Sequence, residues 1–248
     1  MPFFRTVADL LRVIAGRDMA PPTAAILVAA GSSSRMGGDV PKPLLSLCGA
    51  PVLAHTLLAF QRCPHVDEIV VVAREQDTDT VRTLAHTYGI SKLTHVVAGG
   101  ATRAESVARG VEAVSERTKY VAIHDAARCL ITPEQISRVL RTAYIHRAAS
   151  AACPVTDTVK LRTKRGFIEK TIDRRSVYLA QTPQVFHADL YRAALQQVGR
   201  TDLTDDNQLM EALGFPVKLV NCGSENLKIT YPEDLERARD ILTRRNES

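Results

Sequence analysis

The feature of this sequence that most restricts its fold is a regular alternation of short apolar runs with longer stretches of helical periodicity. Apolar runs of strand length lie at Ala25–Ala30, Glu68–Ala73, Thr94–Ala98 and Tyr120–His124. Stretches with helical periodicity follow them near residues 51–61, 75–88, 103–116 and 133–148. Strands that are joined by helical crossovers run parallel and are covered on both faces. The order therefore predicts an α/β fold with a doubly wound, mostly parallel sheet.

The alternation of strand-like and helix-like segments ends after Ala149. Short β-type pieces follow at Ala151–Val155, Thr158–Arg162, Phe167–Thr171 and Val177–Ala180, and helical periodicity returns near residues 187–198, 205–213 and 232–244. The stretch 156–174 is too polar for a central pair of strands, and its middle is the turn-like segment 163–166. We therefore expect a protruding β-arm at about residues 156–175.

The prolines at 21 and 22 mark the start of the main domain, because they cannot continue a preceding helix. Residues 1–20 form an N-terminal extension in which Arg5, Asp9 and Arg12 interrupt the apolar positions, as in a short amphipathic helix and unlike a signal peptide. Residues 21–248 are expected to form one domain, since a chain of 248 residues is near the upper size for a single core.

The charge and composition narrow the range of partners. The net charge is +5, and 24 of the 32 basic residues are Arg, which favours anionic ligands such as phosphates. Nucleic acid is disfavoured, because the basic residues are dispersed among acidic ones and Trp is absent. No uncharged apolar stretch is long enough to span a membrane. Five cysteines without a CxxC pair indicate reduced thiols and a cytoplasmic protein.

The segment from Ala29 to Lys42 is the most informative about function. Its small residues follow a buried strand, so its backbone N–H groups can converge on an anion at the carboxyl edge of the sheet. It matches neither the GxGxxG dinucleotide pattern nor the P-loop pattern. Arg35 and Lys42 lie seven residues apart and bracket the loop, which suits a polyphosphate. The alternative is an ordinary Gly/Ser connection with two solvated cations.

The sequence AAGSSSRMGGDVPKPLL, which begins at Ala29, resembles the signature loop of nucleotidyltransferases that couple a nucleoside triphosphate to a phosphorylated sugar or polyol. Seven later segments lie in the order seen in the 2-C-methyl-D-erythritol 4-phosphate cytidylyltransferase family: Gly99–Val107, His124–Arg128, Thr156–Lys160, Asp173–Arg174, Gln181–Gln184, Thr204–Asp206 and Asn226–Thr230. The resemblance covers roughly residues 23–243. It implies a Rossmann-like nucleotidyltransferase fold and transfer of CMP from CTP to 2-C-methyl-D-erythritol 4-phosphate, with release of pyrophosphate, in non-mevalonate isoprenoid biosynthesis.

The resemblance also implies which residues bind the nucleotide. The pocket for cytosine and ribose would be lined by Ala29, Ala30, Gly31, Gly99, Gly100 and Ser106. The triphosphate would be surrounded by Arg35, Lys42 and Lys228, which are the catalytic candidates. An acceptor phosphate oxygen attacks the α-phosphorus of CTP, so neither a protein nucleophile nor a general base is needed. Catalysis would then rest on positioning and charge stabilisation.

The acceptor side is implied in the same way. The residues expected to bind 2-C-methyl-D-erythritol 4-phosphate are Asp125, Arg128, Thr158, Arg174, Thr182 and Thr204. Asp125 is also a weak candidate ligand for Mg²⁺, which the triphosphate would mainly carry. The alternative is a strand-end salt bridge between Asp125 and Arg128, and His124 is interpreted as structural. In the family the position of Arg174 reaches the partner subunit, which predicts a homodimer formed through the β-arm.

Three departures from the family pattern accompany the matches. Cys129 stands where Pro is usual, Ala101 stands where some members carry a carboxylate, and Thr204–Asn207 departs from the small residues that are usual after the acidic pair. A related function is a cytidylyltransferase for another polyol phosphate, such as ribitol 5-phosphate. A more remote one is a nucleotide-binding module without catalysis, whose sign would be loss of a phosphate-facing cation. All three of those cations are present.

Overall fold

The computed structural model describes residues 20–31, 41–198 and 205–247. Its strands are β1 (Thr23–Val28), β2 (Ser46–Leu47), β3 (Ala50–Pro51), β4 (Glu68–Ala73), β5 (Leu93–Ala98), β6 (Tyr120–Asp125), β7 (Ala148–Pro154), β8 (Val159–Arg162), β9 (Ile168–Ile172), β10 (Tyr178–His187) and β11 (Lys218–Asn221). Its α-helices are α1 (Val52–Arg62), α2 (Thr78–Thr87), α3 (Arg103–Glu112), α4 (Pro133–His146), α5 (Ala188–Val198), α6 (Asn207–Ala212) and α7 (Pro232–Asn246). These elements form the predicted α/β fold.

The described strands build a central sheet of seven in the order β11-β7-β10-β6-β1-β4-β5. Neighbours β6, β1, β4 and β5 are parallel, as the helical crossovers between them require. β10 is antiparallel to both β6 and β7, so the mostly parallel sheet has one reversed strand. Its length corrects the sequence analysis, which ended that strand at Ala180. The strand continues to His187 because pairing with β6 and β7 resumes at Gln184, after an irregularity that the polar residues 181–183 form.

Strand β11 is absent from the sequence analysis. It pairs in parallel with β7 at the edge of the sheet, and only Val220 of its residues is buried. An edge strand of this kind carries no apolar run, so local periodicity does not reveal it. Tertiary pairing, rather than the residues themselves, makes this segment a strand.

Helices cover both faces of the sheet, as the uninterrupted apolar strands predict. Ala25 and Leu27 of β1 pack toward α1, α2 and α4, while Ala24 and Ile26 pack toward α3, α5 and α6. Helix α3 lies very close to the sheet at Gly110, where an added Cβ would approach Ile26 Cγ2 to 2.5 Å and Val72 Cγ2 to 2.9 Å. This close packing fixes the start of α3 near the carboxyl ends of β1 and β4.

Strands β8 and β9 form an antiparallel pair separate from the central sheet. The pair lies within the segment predicted as an arm, and its tip carries the strongly exposed Phe167 and Ile168. Its function in dimerisation stays a prediction. The predicted N-terminal helix lies outside the described residues, apart from Ala20. Among the helices that are described, none has the length and apolar character to cross a membrane.

Candidate active site

Two adjoining cavities lie at the carboxyl edge of the parallel strands, where open α/β sheets bind ligands. The larger has a volume of about 410 Å³ and the smaller about 240 Å³. Both are lined by the same three charged residues, Arg103, Asp125 and Lys228. The two cavities therefore meet at a shared cluster of charge.

The larger cavity contains the residues predicted to bind the nucleotide. Its lining includes Ala29, Ala30, Gly31, Gly100, Ser106 and Lys42. Gly99 lies beneath this lining, because a Cβ added there would overlap Ala30 Cβ and lie 2.9 Å from Ser106 Oγ. The strand ends of β1 and β5 thus approach each other through small residues, which leaves their backbone accessible to a flat ligand.

Hydrogen bonds hold the segment between β5 and α3 in place. Ser106 Oγ accepts from the Gly100 N–H at 3.1 Å and donates to the Thr102 carbonyl at 2.9 Å. Thr102 caps α3 by accepting from the Glu105 N–H at 3.1 Å, and Glu105 in turn accepts from the Ala101 N–H at 2.8 Å. Where some family members have a carboxylate, Ala101 is therefore anchored through its backbone.

Asp125, at the end of β6, is surrounded by cations. Lys228 Nζ lies 2.8 Å from Asp125 Oδ2, Arg103 Nε lies 3.6 Å from Oδ1, and Arg128 Nε lies 3.7 Å from Oδ2. Burial alone would raise the pKa of Asp125, but the attraction of Lys228, Arg103 and Arg128 outweighs it and lowers the pKa to about 2. The carboxylate is therefore ionised at any physiological pH.

Lys42 and Lys228 are brought to one side of the larger cavity. Lys42 Nζ donates to the Thr230 carbonyl at 3.1 Å, two residues from Lys228 along the chain. Two cations predicted to bind the triphosphate are thus neighbours in the structure although they are far apart in sequence. The third, Arg35, lies outside the described residues.

Arg103 is a site residue that the sequence analysis did not single out. It is the first residue of α3 and lines both cavities. Its Nη2 lies 2.7 Å from Asp206 Oδ2, and the Tyr191 hydroxyl donates to Asp206 Oδ1 at 2.6 Å. Burial would lower the pKa of Arg103, but Asp206 and Asp125 together raise it. Its position after a strand-end Gly-Gly pair was the available signal.

Arg128 lines the smaller cavity and is tied to the backbone of two other segments. It donates to the Asn226 carbonyl at 2.9 Å and to the Ala180 carbonyl at 3.4 Å. Burial lowers the pKa of this guanidinium. The strand-end ion pair with Asp125 exists, but its Nε–Oδ2 distance of 3.7 Å makes it the longest of the three contacts to that carboxylate. Cys129, in the usual place of Pro, is buried beside it.

Thr182 lines the smaller cavity, and His124 lies behind it. The Thr182 hydroxyl oxygen lies 3.0 Å from His124 Nδ1 and accepts from the Asp125 N–H at 3.0 Å. His124 is fully buried, and burial lowers its pKa to about 3 despite the opposing effect of Asp125. The imidazole is therefore neutral.

Not all of the predicted acceptor residues meet at the cavities. Thr158 and Arg174 are exposed on the arm and belong to the lining of neither cavity, and Arg174 donates a hydrogen bond to the Thr156 carbonyl. Thr204 lies outside the described residues, although the neighbouring Asp205 lines the smaller cavity. Within one chain, then, Asp125, Arg128 and Thr182 are the predicted acceptor residues that come together.

The donors for a metal ion are few in this part of the chain. In the described ranges no three His, Cys, Asp or Glu side chains cluster as a metal site. Asp125 offers the carboxylate oxygen that Mg²⁺ prefers, and it faces the nucleotide cavity. The residues present fit a metal ion that is held mainly by ligand phosphates and touched by one protein carboxylate.

Comparison with known proteins gives the family. The family model described as IspD, 2-C-methyl-D-erythritol 4-phosphate cytidylyltransferase, matches residues 23–244. A protein of that name from Dehalococcoides mccartyi is 43% identical over 88% of this chain and 95% of its own length. Another of that name, from Syntrophus aciditrophicus, is 41% identical over 90% of this chain and 97% of its own.

Solved structures show the same relationship. The 4-diphosphocytidyl-2C-methyl-D-erythritol synthase of Anaerococcus prevotii superposes with a TM-score of 0.81 at 30% identity, covering 90% of this chain and 96% of that one. The 2-C-methyl-D-erythritol 4-phosphate cytidylyltransferase of Thermus thermophilus superposes with a TM-score of 0.69 at 32% identity, covering 88% and 97%. Fold, motif order and sequence agree, and the chain belongs to the 2-C-methyl-D-erythritol 4-phosphate cytidylyltransferase family.

Proposed function

We propose that this protein transfers CMP from CTP to 2-C-methyl-D-erythritol 4-phosphate, giving 4-diphosphocytidyl-2-C-methyl-D-erythritol and pyrophosphate. The observation that carries the proposal is the pair of adjoining cavities that share Arg103, Asp125 and Lys228. A transferase of this kind must hold a nucleotide and an acceptor side by side. The bond between them then forms where the two cavities meet.

The larger cavity takes the nucleotide. Its small residues let the backbone approach a pyrimidine, and Lys42 and Lys228 supply positive charge beside the phosphates. Arg35 is assigned to the same phosphates on the family pattern. Negative charge builds on the oxygens around the α-phosphorus as the acceptor attacks, so fixed cations stabilise the transition state more than the bound substrate.

The smaller cavity takes the acceptor. Arg128 suits its phosphate, while Asp125 and Thr182 suit its hydroxyl groups. A phosphate monoester is already ionised near neutral pH, so the attacking oxygen needs no base. The described side chains then act by holding the acceptor oxygen in line with the bond that breaks.

A divalent cation completes the charge balance in this proposal. Mg²⁺ bound to the triphosphate neutralises part of its charge and makes pyrophosphate a better leaving group. Asp125 is the residue we assign to contact it. The same carboxylate lies 2.8 Å from Lys228 and also faces the acceptor side, so it spans the point of reaction.

The working unit is proposed to be a cytoplasmic homodimer. Thr158 and Arg174 lie on the β-arm, away from the cavities of their own chain, so they would act in the partner's site. The exposed Phe167 and Ile168 give the arm apolar surface to bury there. Mixing Arg174→Ala with Lys42→Ala protein should restore activity, because one site of the mixed dimer then has both residues. No recovery after verified subunit exchange would contradict the shared site.

The transfer itself is tested by acceptor-dependent release of pyrophosphate. CTP and Mg²⁺ are supplied with 2-C-methyl-D-erythritol 4-phosphate, with ribitol 5-phosphate, or with neither. Release with the first acceptor alone supports the proposal, and release only with the second supports the related polyol-phosphate reaction. Binding of CTP without release in any mixture would indicate a non-catalytic nucleotide-binding module.

Single substitutions sharpen that assay. Lys42→Ala should lower kcat by about a hundredfold or more if the ammonium stabilises developing charge. Lys218→Ala is the matched control, because it removes the same charge from the exposed edge strand β11. Equal kcat values for the two variants would contradict the function assigned to Lys42.

A further inference from the structure

We propose that His124 is a positioning residue for the acceptor site, whose two ring nitrogens order Thr182 and the turn from Asp125 to Arg128. The inference deepens the proposed function and rests on it for the identity of the acceptor. It goes beyond a packing role, because both ring nitrogens are used and each contacts a segment that lines the smaller cavity.

The partners of His124 fix the direction of each hydrogen bond. Nε2 lies 3.2 Å from the Arg128 carbonyl oxygen, which can only accept, so Nε2 carries the proton. Nδ1 lies 3.0 Å from the Thr182 hydroxyl, whose oxygen already accepts a hydrogen bond, so the hydroxyl donates its proton to Nδ1. Thr182 Oγ in turn accepts from the Asp125 N–H at 3.0 Å. A directed chain therefore runs from the Asp125 backbone through Thr182 and His124 to the Arg128 backbone.

These hydrogen bonds close on the turn that follows β6 and carries the two acceptor candidates Asp125 and Arg128. The Arg128 N–H donates to the Asp125 carbonyl at 2.9 Å, so the two residues are already joined through the backbone. His124 and Thr182 join them a second time, from behind. The side chains of Asp125 and Arg128 thus project from a turn that is held at both ends, and Thr182 is held to the same turn.

The burial of the imidazole restricts which side chain can occupy position 124. His124 has no exposed surface, and its ring centroid lies 4.9 Å from that of Phe60. Packing against Phe60 could be met by any flat side chain. Two ring nitrogens without access to water require partners, however, since a buried polar group without a hydrogen bond is costly. Only an imidazole in one tautomer meets the packing and both hydrogen bonds.

The chain also restricts how Thr182 can bind the acceptor. A hydroxyl has one proton, and Thr182 gives it to His124 Nδ1. Thr182 Oγ can therefore accept a hydrogen bond from a hydroxyl group of the polyol phosphate. It cannot donate a hydrogen bond to the phosphate group of that substrate. His124 in this way assigns Thr182 to the polyol part of the acceptor and leaves its phosphate to the cations.

Three substitutions of His124 separate the two hydrogen bonds. His124→Asn places an amide oxygen near the position of Nδ1 and keeps an acceptor for Thr182. His124→Gln places an amide nitrogen near the position of Nε2 and keeps a donor for the Arg128 carbonyl. His124→Leu keeps apolar volume and removes both bonds. Val185→Ala is the control for lost stability. Val185 is a fully buried aliphatic residue of β10, and it lies beside β6.

The kinetic expectation is a change confined to the acceptor. His124→Leu should raise the KM for the acceptor about tenfold, as loss of the hydrogen bond that orders Thr182 implies, with the KM for CTP within about twofold of the wild type. His124→Asn should recover part of that loss. Val185→Ala should leave both KM values near those of the wild type. An unchanged acceptor KM in His124→Leu, or equal increases for both substrates, would overturn the proposal.

A double-mutant cycle and a spectroscopic measurement complete the test. Adding His124→Leu to Thr182→Val should raise the acceptor KM by less than it does in the wild type, because His124 acts in part through that hydroxyl. In ¹⁵N NMR of the wild type, His124 should show a protonated Nε2 and an unprotonated Nδ1. The opposite tautomer would overturn the proposal even if the leucine variant does not fold. The NMR result does not depend on which acceptor the enzyme uses, so it separates this inference from the proposed reaction.

Discussion

Asp206→Asn is the most informative perturbation of the site, because it removes one charge from behind Arg103 without removing volume. Asp206 is almost fully buried, and its Oδ2 lies 2.7 Å from Arg103 Nη2. Its other oxygen accepts from the Tyr191 hydroxyl at 2.6 Å, and its N–H donates to Gln184 Oε1 at 2.8 Å. Asp206 thus links Arg103 to the core beneath α5 and holds the guanidinium over both cavities.

The expected loss of stability in Asp206→Asn follows from the burial of the ion pair between Arg103 and Asp206. Breaking a buried ion pair by removing one partner costs about 3–5 kcal/mol. Arg103 keeps a second carboxylate, Asp125, at 3.6 Å and its side chain is 24% exposed, so the lower figure of about 3 kcal/mol applies. For a domain of this size that corresponds to a fall in Tm of about 6–12 °C. Tyr191→Phe removes only one hydrogen bond to a charged group and should cost about half as much.

The assay combines thermal unfolding with steady-state kinetics. Asp206→Asn should lower the Tm and raise the KM values for CTP and for the acceptor together, because Arg103 lines both cavities. Tyr191→Phe should move the same quantities in the same direction by a smaller amount. A double-mutant cycle with Arg103→Met measures the coupling, which should exceed about 1 kcal/mol for groups in direct contact.

Additive effects of Arg103→Met and Asp206→Asn would refute the reasoning, because they would mean that the two side chains do not interact in solution. A fall in Tm without any change in either KM would refute the inference that Asp206 affects substrate binding. In that case Asp206 stabilises the core but does not orient Arg103 for binding.

Three further predictions follow from other parts of the chain. Gly99→Ala should raise the KM for CTP with little change for the acceptor, because the added Cβ would overlap Ala30 in the nucleotide cavity; equal KM values in mutant and wild type would show that the segments after β1 and β5 move apart easily. In labelling with a thiol reagent at neutral pH, Cys48 should react first because it is exposed, while burial raises the pKa of Cys129 to about 12 and keeps it unreactive; Cys48→Ser should lose the fast phase, and a fast phase that persists would contradict this assignment. Glu68→Gln, at the opposite edge of the sheet, should lower the Tm by about 3–6 °C through weakened bonds to Thr118 and Ser115 while both KM values stay unchanged, and a change in either KM would place it in the functional network.

The sequence by itself determined the architecture and the edge of the sheet at which function lies. Strands such as Ile69–Val72 are apolar at every position, which only a sheet covered on both faces explains. In a parallel sheet the strand ends lie together, so the segments after β1, β5 and β6 had to meet. These features can be predicted from the sequence because they depend on local periodicity and on the order of the elements along the chain.

The tertiary structure decided which side chains meet there. Arg103 contacts Asp206, and Lys228 contacts Asp125, each across 103 residues of chain. Two further features depend on tertiary pairing in the same way. Strand β11 joins the edge of the sheet, and Gln181–Gln184 forms part of β10. No local pattern encodes them, because burial and pairing energies arise only when distant segments pack together. For the same reason the sequence could name His124 as a structural residue, but only the folded chain shows that its two nitrogens join Thr182 to the Arg128 carbonyl.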